Sequence, residues 1–298
     1  MKIISGTSNI PLAQNIADIL NLPLVDVEIS KFKNGEKRVW IKENIQGENV
    51  TLVQSFSHPV DEYLIEFLLI ADALERAGAR HVHLVVPWMG YSLQDKVFRP
   101  GEPIAAKVVA NLISNAYIKR AQLLDVHNTS IPGFFSIPTK HHSSMDLFTE
   151  YIENNFTSTS SIVVSPDFGG LKRARIFADK LKLSLANIDK HRDLETGKVT
   201  PKGISGDVQG KTCFIYDDVI NTGNTVVEVA RFLKEKGATK VHFVVTHGIF
   251  ANNGLQLMED ESIDSVIISN SIHHENLSSK ITVLDVAPIF ANTLTSWL

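Results

Sequence analysis

The sequence is poor in the residues that mark several large classes of protein. Among its 298 residues there is one cysteine, Cys213, so no intramolecular disulfide can form. Cys213 lies within an apolar run, which favours a small buried side chain over a nucleophile. No apolar run approaches the roughly 18 residues of a membrane-spanning helix, and the N-terminus lacks the apolar core of a signal peptide. We therefore expect a cytoplasmic protein.

The sequence also lacks a large excess of positive or negative charge. The sequence has 29 Lys and Arg against 33 Asp and Glu, giving a net charge of −4. Nucleic acids and anionic membranes are usually recognised through a basic field, so we expect neither as a partner. A hydrophobic content of 44% is ordinary for a globular protein. The length suits two α/β domains of about 150 residues each.

Short runs rich in β-branched residues alternate with helical patterns along the chain. The clearest helical pattern spans 61–77, where Leu64, Phe67 and Leu74 share one face and Gly78 follows. Strands that alternate with helices predict parallel sheets covered on both faces. The predicted strands are 2–5, 24–29, 50–54, 81–86, 121–126, 161–165, 211–216, 240–246, 264–269 and 280–284, with further helices at 104–116, 171–181 and 226–236.

The most informative segment is 213–225. An apolar run ends at Asp217 and Asp218, a loop of small residues follows, and a helical pattern begins at Val226. In α/β folds, a strand, a loop and a helix N-terminus in this order bind sugar phosphates. The backbone N–H groups of residues 222–225 would surround a phosphate, and the two acids would accept hydrogen bonds from neighbouring sugar hydroxyls. The alternative is that the paired acids only cap the next helix.

This segment resembles the ribose 5-phosphate loop shared by phosphoribosyltransferases and PRPP synthetases (ribose-phosphate pyrophosphokinases). Other segments, spread over nearly the whole chain, resemble the PRPP synthetases in particular; they are 32–36, 88–96, 124–127, 164–170 and 187–192. The resemblance implies two phosphoribosyltransferase-like (Rossmann-like) α/β domains, 1–145 and 146–298, each a mainly parallel sheet flanked by helices. A C-terminal helix at 286–298 is a candidate to pack back on the first domain.

The resemblance also implies an activity. PRPP synthetases transfer the β,γ-pyrophosphoryl group of ATP to O1 of ribose 5-phosphate, giving PRPP and AMP for nucleotide biosynthesis, with Mg²⁺ as cofactor. They self-associate as dimers built into hexamers or tetramers, with ATP sites shared between subunits. By the same resemblance, ribose 5-phosphate would lie on Asp217, Asp218, Asn221, Thr222, Gly223, Asn224 and Thr225.

The remaining site residues follow from the same resemblance. Lys190 and Arg192 would be catalytic, and Asp167, Gly169 and Gly170 would form a pyrophosphate loop. His127 and Asp167 would hold Mg²⁺, although from residue chemistry alone a lone histidine is an unusual ligand for a cation that prefers oxygen. The implied ATP-binding residues are Phe32, Asn34, Glu36, Gln94, Asp95, Arg99 and His127.

The sequence departs from the family pattern at several of these positions. Leu93 stands where the family has an arginine, and leucine supplies no hydrogen-bond donor to a phosphate. Asn221 replaces an aspartate, and Asn224 replaces a glycine. Residues 139–142 replace the family's Val-Asp-Asn, and the family's serine-rich tail is missing, so we expect weak or absent allosteric inhibition by ADP.

Two other functions remain open. A phosphoribosyltransferase would share the ribose loop, but it would not need the segments at 32–36 and 94–96. A non-catalytic subunit associated with PRPP synthetase would keep the fold and lose the chemistry, and the departures at Leu93, Asn221 and Asn224 favour it. The retained cations Lys190 and Arg192 favour an active enzyme.

Overall fold

The computed structural model describes residues 1–157, 160–192 and 199–297, without the side chains of residues 190–192, 199 and 200. The chain divides into two compact units. Unit 1 comprises Met1–Ser143, Asn270–His273 and Asp285–Leu298, and unit 2 comprises Ser144–Ser269 and His274–Leu284. No helix in the described ranges has both the length and the apolar composition to cross a membrane.

Unit 1 is built on a five-stranded parallel sheet in the order β1-β4-β5-β6-β7. A separate antiparallel hairpin, β2–β3, extends the unit. The strands are β1 (Lys2–Ser5), β2 (Val27–Lys31), β3 (Lys37–Ile41), β4 (Asn49–Val53), β5 (His81–Val86), β6 (Arg120–Leu124) and β7 (Thr139–His142). The helices are α1 (Ile10–Leu20), α2 (Val60–Arg76), α3 (Ala105–Asn115) and α8 (Ala287–Thr295), with a 3₁₀ turn at Ile131–Phe134.

Hydrophobic burial explains how α2 and the last helix are placed. The face of α2 that the sequence predicted to be apolar is buried, including Leu64, Phe67 and Leu74. The C-terminal helix α8 packs against α1. The Phe290 ring of α8 lies 5.6 Å from the His142 ring at an edge-to-face angle.

Unit 2 is built on a seven-stranded sheet in the order β10-β9-β8-β11-β12-β13-β14. All neighbouring strands are parallel except β9 and β10. The strands are β8 (Ser161–Ser165), β9 (Ser184–Arg192), β10 (Val199–Ser205), β11 (Thr212–Ile220), β12 (Lys240–Gly248), β13 (Ser265–Ser269) and β14 (Ile281–Leu284). The helices are α4 (Met145–Asn155), α5 (Leu171–Leu181), α6 (Asn224–Glu235) and α7 (Gly254–Leu257).

The central strand β11 is buried on both faces. Cys213 and Ile215 belong to one hydrophobic cluster, while Phe214 and Tyr216 belong to another on the opposite face. Successive side chains of a strand point to opposite faces, so this alternation requires cover on both sides of the sheet. The predicted fold class, α/β with mainly parallel sheets flanked by helices, is confirmed.

Several predicted boundaries are wrong in ways that bear on function. Strand β11 continues to Ile220, so Asp217 and Asp218 lie inside the strand and do not follow it. Helix α6 begins at Asn224, not at Val226. Strands β7 and β10 were not predicted, and β9 was expected only as a strand that ends before Lys190; the many polar residues of β10 and of the second half of β9 weaken the strand pattern in the sequence.

Candidate active site

The topology of unit 2 brings two predicted loops together. From β8 the chain passes through α5 to β9 on one side, whereas from β11 it passes through α6 to β12 on the other side. Strands β8 and β11 are parallel neighbours, so the sheet reverses its winding direction between them. Ligands of open α/β sheets bind at such a reversal, outside the carboxyl ends of the strands.

A cavity of about 350 Å³ lies at this reversal. The residues predicted from sequence that line it are Asp167, Asp217, Asn221, Thr222, Gly223 and Thr225. Its other walls are apolar residues of β11, α6 and β12, including Ile215, Val229 and Val245. The cavity therefore has a polar mouth formed by two loops and an apolar floor formed by the sheet and helix.

The loop after β11 places a helix N-terminus at the cavity. Gly223 has a φ of +85°, which favours glycine because other residues seldom adopt it. Asn224 is the first helical residue and does not have a positive φ, so the glycine it replaces in the family is not required by the backbone here. The first N–H groups of a helix have no intrahelical acceptor and favour anions.

Arg173 of α5 connects the two acids of β11. Its Nη2 donates to Asp218 Oδ1 at 2.7 Å and reaches Asp217 Oδ1 at 3.3 Å. Burial and the neighbouring Asp218 carboxylate raise the pKa of Asp217 to about 8, and the Arg173 charge opposes that rise. Arg175, two residues along the helix, instead lines a separate cavity beside Asp189. Residues two apart on a helix point in different directions, so only one of these arginines reaches the acids of β11.

The loop after β8 is fixed by its own polar groups. Asp167 Oδ1 accepts a hydrogen bond from Gly170 N–H at 2.9 Å, and Ser165 Oγ donates to the Asp167 carbonyl oxygen at 2.7 Å. The Asp167 side chain therefore ties its own loop to Gly170, the residue just before α5. A Cβ at Gly169 would lie 3.3 Å from that carboxylate oxygen, so the loop leaves little room for a side chain there.

The predicted catalytic residues lie on an edge hairpin of unit 2. The backbones of Lys190 and Arg192 belong to β9, where they pair with Pro201 and Val199 of β10. The sequence placed them just after a strand, and the structure corrects this, because they are part of the strand. Their side chains, and the polar segment 193–198, lie outside the described residues.

In unit 1, the predicted ATP-site residues fall on loops that follow neighbouring parallel strands. Gln94 and Asp95 follow β5, and His127 follows β6. The two loops are linked, since Asn128 Nδ2 donates to Asp95 Oδ2 at 2.6 Å. His127 and Arg99 are exposed, whereas Gln94, Asp95 and Leu93 are half-buried.

The third predicted segment of unit 1 is the tip of the β2–β3 hairpin. Phe32 N–H donates to the Glu36 carbonyl oxygen at 2.8 Å, and Gly35 has a φ of +91°. Asn34 Nδ2 donates to Glu36 Oε2 at 2.9 Å. The Phe32 side chain is 53% exposed, so this turn presents an aromatic ring and two polar side chains to the solvent.

The predicted metal ligands belong to different units. His127 lies in unit 1 and Asp167 in unit 2. Within the described residues, no group of three or more His, Cys, Asp or Glu side chains is arranged to hold a metal ion. Asp167 and Asp217 nevertheless bring hard carboxylate oxygens to one cavity, which suits a cation that takes few protein ligands and keeps its water.

Comparison with known proteins identifies the family. Residues 1–116 match the family described as the N-terminal domain of ribose phosphate pyrophosphokinase, and residues 190–296 match the phosphoribosyl synthetase-associated domain. Ribose-phosphate pyrophosphokinase of Thermotoga maritima is 40% identical over 99% of this chain and 94% of that protein, and the Aquifex aeolicus protein is 39% identical over the same shares.

A solved structure agrees over the full length. Phosphoribosylpyrophosphate synthetase from Mycobacterium smegmatis superposes with a TM-score of 0.92 at 33% identity, covering 99% of this chain and 98% of that chain. The resemblance predicted from the sequence motifs is thereby confirmed. The chain belongs to the ribose-phosphate pyrophosphokinase (PRPP synthetase) family.

Proposed function

We propose that this chain transfers the β,γ-pyrophosphoryl group of ATP to O1 of ribose 5-phosphate, forming PRPP and AMP for nucleotide biosynthesis. The observation that carries the proposal is the cavity at the carboxyl ends of β8 and β11, where the Asp167 and Asp217 carboxylates and a helix N-terminus meet. The chain is related to these enzymes over 99% of its length. A sugar phosphate as substrate accounts for both polar features of the cavity, since its hydroxyls suit the carboxylates and its phosphate suits the helix N-terminus. We also propose that the enzyme is cytoplasmic.

In this proposal, ribose 5-phosphate binds in unit 2. Its phosphate occupies the loop of residues 221–225, where backbone N–H groups and the hydroxyls of Thr222 and Thr225 can donate hydrogen bonds. Asp217 and Asp218 accept hydrogen bonds from the ribose hydroxyls. The Arg173 guanidinium holds these two acids in place.

ATP binds through residues of unit 1 and through a second copy of the chain. Gln94, Asp95, Arg99 and His127 form the part of the site that this chain supplies. The exposed hairpin tip, with Phe32, Asn34 and Glu36, serves the site of a neighbouring subunit, which is why its polar side chains face the solvent in a single chain. The proposal therefore includes a dimer-based assembly, as a hexamer or tetramer.

Mg²⁺ is the proposed cofactor, with His127 and Asp167 as its protein ligands. The carboxylate oxygens at the cavity fit this cation, since they are hard donors of the kind it prefers. Bound Mg²⁺ neutralises charge on the transferring phosphates. The hydrogen bond from Gly170 N–H to Asp167 Oδ1 orients this carboxylate within its loop.

The reaction needs alignment and charge neutralisation more than a covalent nucleophile. The oxygen of the ribose O1 hydroxyl attacks Pβ, the bond between Pβ and the α,β-bridging oxygen breaks, and AMP leaves with that oxygen while the O1 proton is released. Lys190 and Arg192 stabilise the charge that grows around Pβ. Residues 167–170 receive the pyrophosphate as it becomes attached to the sugar.

A ³¹P NMR assay with ATP, Mg²⁺ and ribose 5-phosphate tests the proposal. We expect AMP and a pyrophosphorylated ribose to appear only when the sugar is present. A non-catalytic subunit, the alternative that Leu93 favours, would bind ribose 5-phosphate and release no AMP. A phosphoribosyltransferase would instead consume added PRPP in the presence of a nitrogenous base.

The roles of the catalytic residues are tested by Lys190→Ala. We expect turnover to fall by about 10²–10³-fold, the usual effect of removing one charge-stabilising donor, while the Kd for ribose 5-phosphate stays nearly unchanged. Lys202→Ala is the matched control, because Lys202 is an exposed lysine on the paired strand β10. Equal losses of turnover and sugar binding would contradict the assignment.

A further inference from the structure

The loop that carries His127 leaves the sheet in a strained conformation. It begins at Asp125, whose φ of 34° lies in the left-handed region that non-glycine residues seldom adopt. The Asp125 N–H donates to the His142 carbonyl oxygen of β7 at 2.9 Å. A strained backbone of this kind persists only where surrounding contacts hold it. The contacts that follow Asp125 therefore decide where His127 lies.

His141 of β7 supplies the first of these contacts. Its Nε2 accepts a hydrogen bond from Val126 N–H at 3.2 Å, and Val126 is the residue directly before His127. Val126 is only 5% exposed, so water does not readily replace this acceptor. Burial lowers the pKa of His141, which keeps its ring in the neutral form that can accept.

Asn128 supplies a second contact on the other side of His127. Its Nδ2 donates to Asp95 Oδ2 at 2.6 Å, and its Oδ1 accepts from Ser130 N–H at 2.9 Å. The amide of Asn128 therefore joins the loop after β6 to the loop after β5. His127 lies between two residues that are each tied to a different part of unit 1.

We propose that His141 and Asn128 are positioning residues for His127, which fix its backbone from both sides so that its side chain meets the nucleotide and its cation in one orientation. The proposal rests on the proposed function, in which His127 is a ligand for Mg²⁺·ATP. It also gives a role to His141 in the segment 139–142, where the sequence departs from the related family's Val-Asp-Asn. At this position, His141 supports the His127 loop by accepting the hydrogen bond from Val126 N–H.

The test compares His141→Phe with His141→Gln. Phenylalanine keeps a planar ring and removes the acceptor, whereas the glutamine Oε1 can still accept from Val126 N–H. Removing a group that orients a metal ligand typically costs about 10–100-fold in metal affinity or activity. We expect His141→Phe to raise the Kd for Mn²⁺ with a non-hydrolysable ATP analogue about 10-fold, measured by EPR without turnover, and to leave the KM for ribose 5-phosphate unchanged. His141→Gln should recover most of the loss.

His142→Phe is the matched control. It makes the same substitution on the next residue of β7, whose side chain points to the opposite face. There, His142 Nε2 lies 2.7 Å from Gln122 Oε1, whereas the hydrogen bond from Val126 N–H is accepted by His141. We expect this variant to lower the melting temperature without changing the Mn²⁺ affinity. If His141→Phe does not fold, Asn128→Ala tests the same proposal at an exposed position and should show the same selective loss.

The outcomes separate this inference from the proposed function. Wild-type Mn²⁺ affinity in both His141→Phe and Asn128→Ala, beside weakened binding in His127→Ala, would overturn the positioning roles and leave the function intact. Unchanged binding in His127→Ala would remove His127 from the site and the inference with it. Absence of PRPP formation by the wild-type protein would refute the proposed function, while the Mn²⁺ measurements would still decide the positioning roles.

Discussion

Arg173 is the side chain whose removal most directly tests the electrostatics of the acid pair. Its Nη2 lies 2.7 Å from Asp218 Oδ1, and the Asp218 side chain is only 4% exposed. Arg173→Met keeps an extended apolar stem and removes the charge, which takes the paired guanidinium away from the buried Asp218 carboxylate beside Asp217. Breaking a buried ion pair in this way costs about 3–5 kcal/mol. Because the Arg173 side chain is 31% exposed, water offsets part of the loss, and we expect about 3 kcal/mol.

A double-mutant cycle with Asp218→Asn isolates the pair from the general effect of each substitution. Urea unfolding of the wild type, both single variants and the double variant supplies the four free energies of unfolding. Coupled neighbours show interaction energies of about 0.5–3 kcal/mol, and we expect the double variant to be more stable than the sum of the single losses predicts. Arg231→Met is the control, since Arg231 is 64% exposed in its pair with Asp260 and should cost no more than about 1 kcal/mol.

The same variant should change the pH dependence of stability. The pKa of Asp217 is raised from its ordinary value of 3.8 to about 8 in the native state. Between these pH values the native state therefore binds the Asp217 proton more tightly than the unfolded state does. Its contribution to stability is complete below about pH 3.8 and is lost as the pH rises through about 8. Without Arg173 this pKa rises further, so the loss of stability from Asp217 should extend to higher pH in the variant than in the wild type. Identical melting temperatures at each pH, or strictly additive losses in the cycle, would refute this account of Arg173.

Three further predictions each concern the surroundings of one buried residue or one glycine. Gly90→Ala should lower the free energy of unfolding by about 1–3 kcal/mol, because a Cβ there would lie 2.5 Å from the Phe56 carbonyl oxygen; a wild-type melting temperature would contradict the steric argument. Cys213 should not react with a thiol reagent at neutral pH until the protein unfolds, since burial raises its pKa to about 12; rapid native labelling would contradict this. Lys37→Met should cost about 3–5 kcal/mol by leaving the fully buried Glu66 without its cation, and Lys37→Arg is the control that should retain most stability.

The sequence alone determined the elements whose pattern is local. Helix α5 was predicted at the bounds that it has, and the order of strand, small-residue loop and helix around Gly223 was predicted correctly from periodicity and composition. These features depend only on residues close together in the chain, so the types of those side chains are sufficient to predict them. The motifs also indicated the family. Strands β7 and β10, and the polar second half of β9, were missed because their side chains do not follow an apolar alternation.

Only the tertiary structure decided which distant groups meet. The order of strands in a sheet is not encoded in local periodicity, so the adjacency of β8 and β11, and the cavity between their loops, could not be derived from either segment. The same holds for Arg173 beside the acids of β11 and for His141 beneath the loop of His127. These contacts join residues that are far apart in the chain. The residues meet because helices and strands pack together to bury both faces of each sheet.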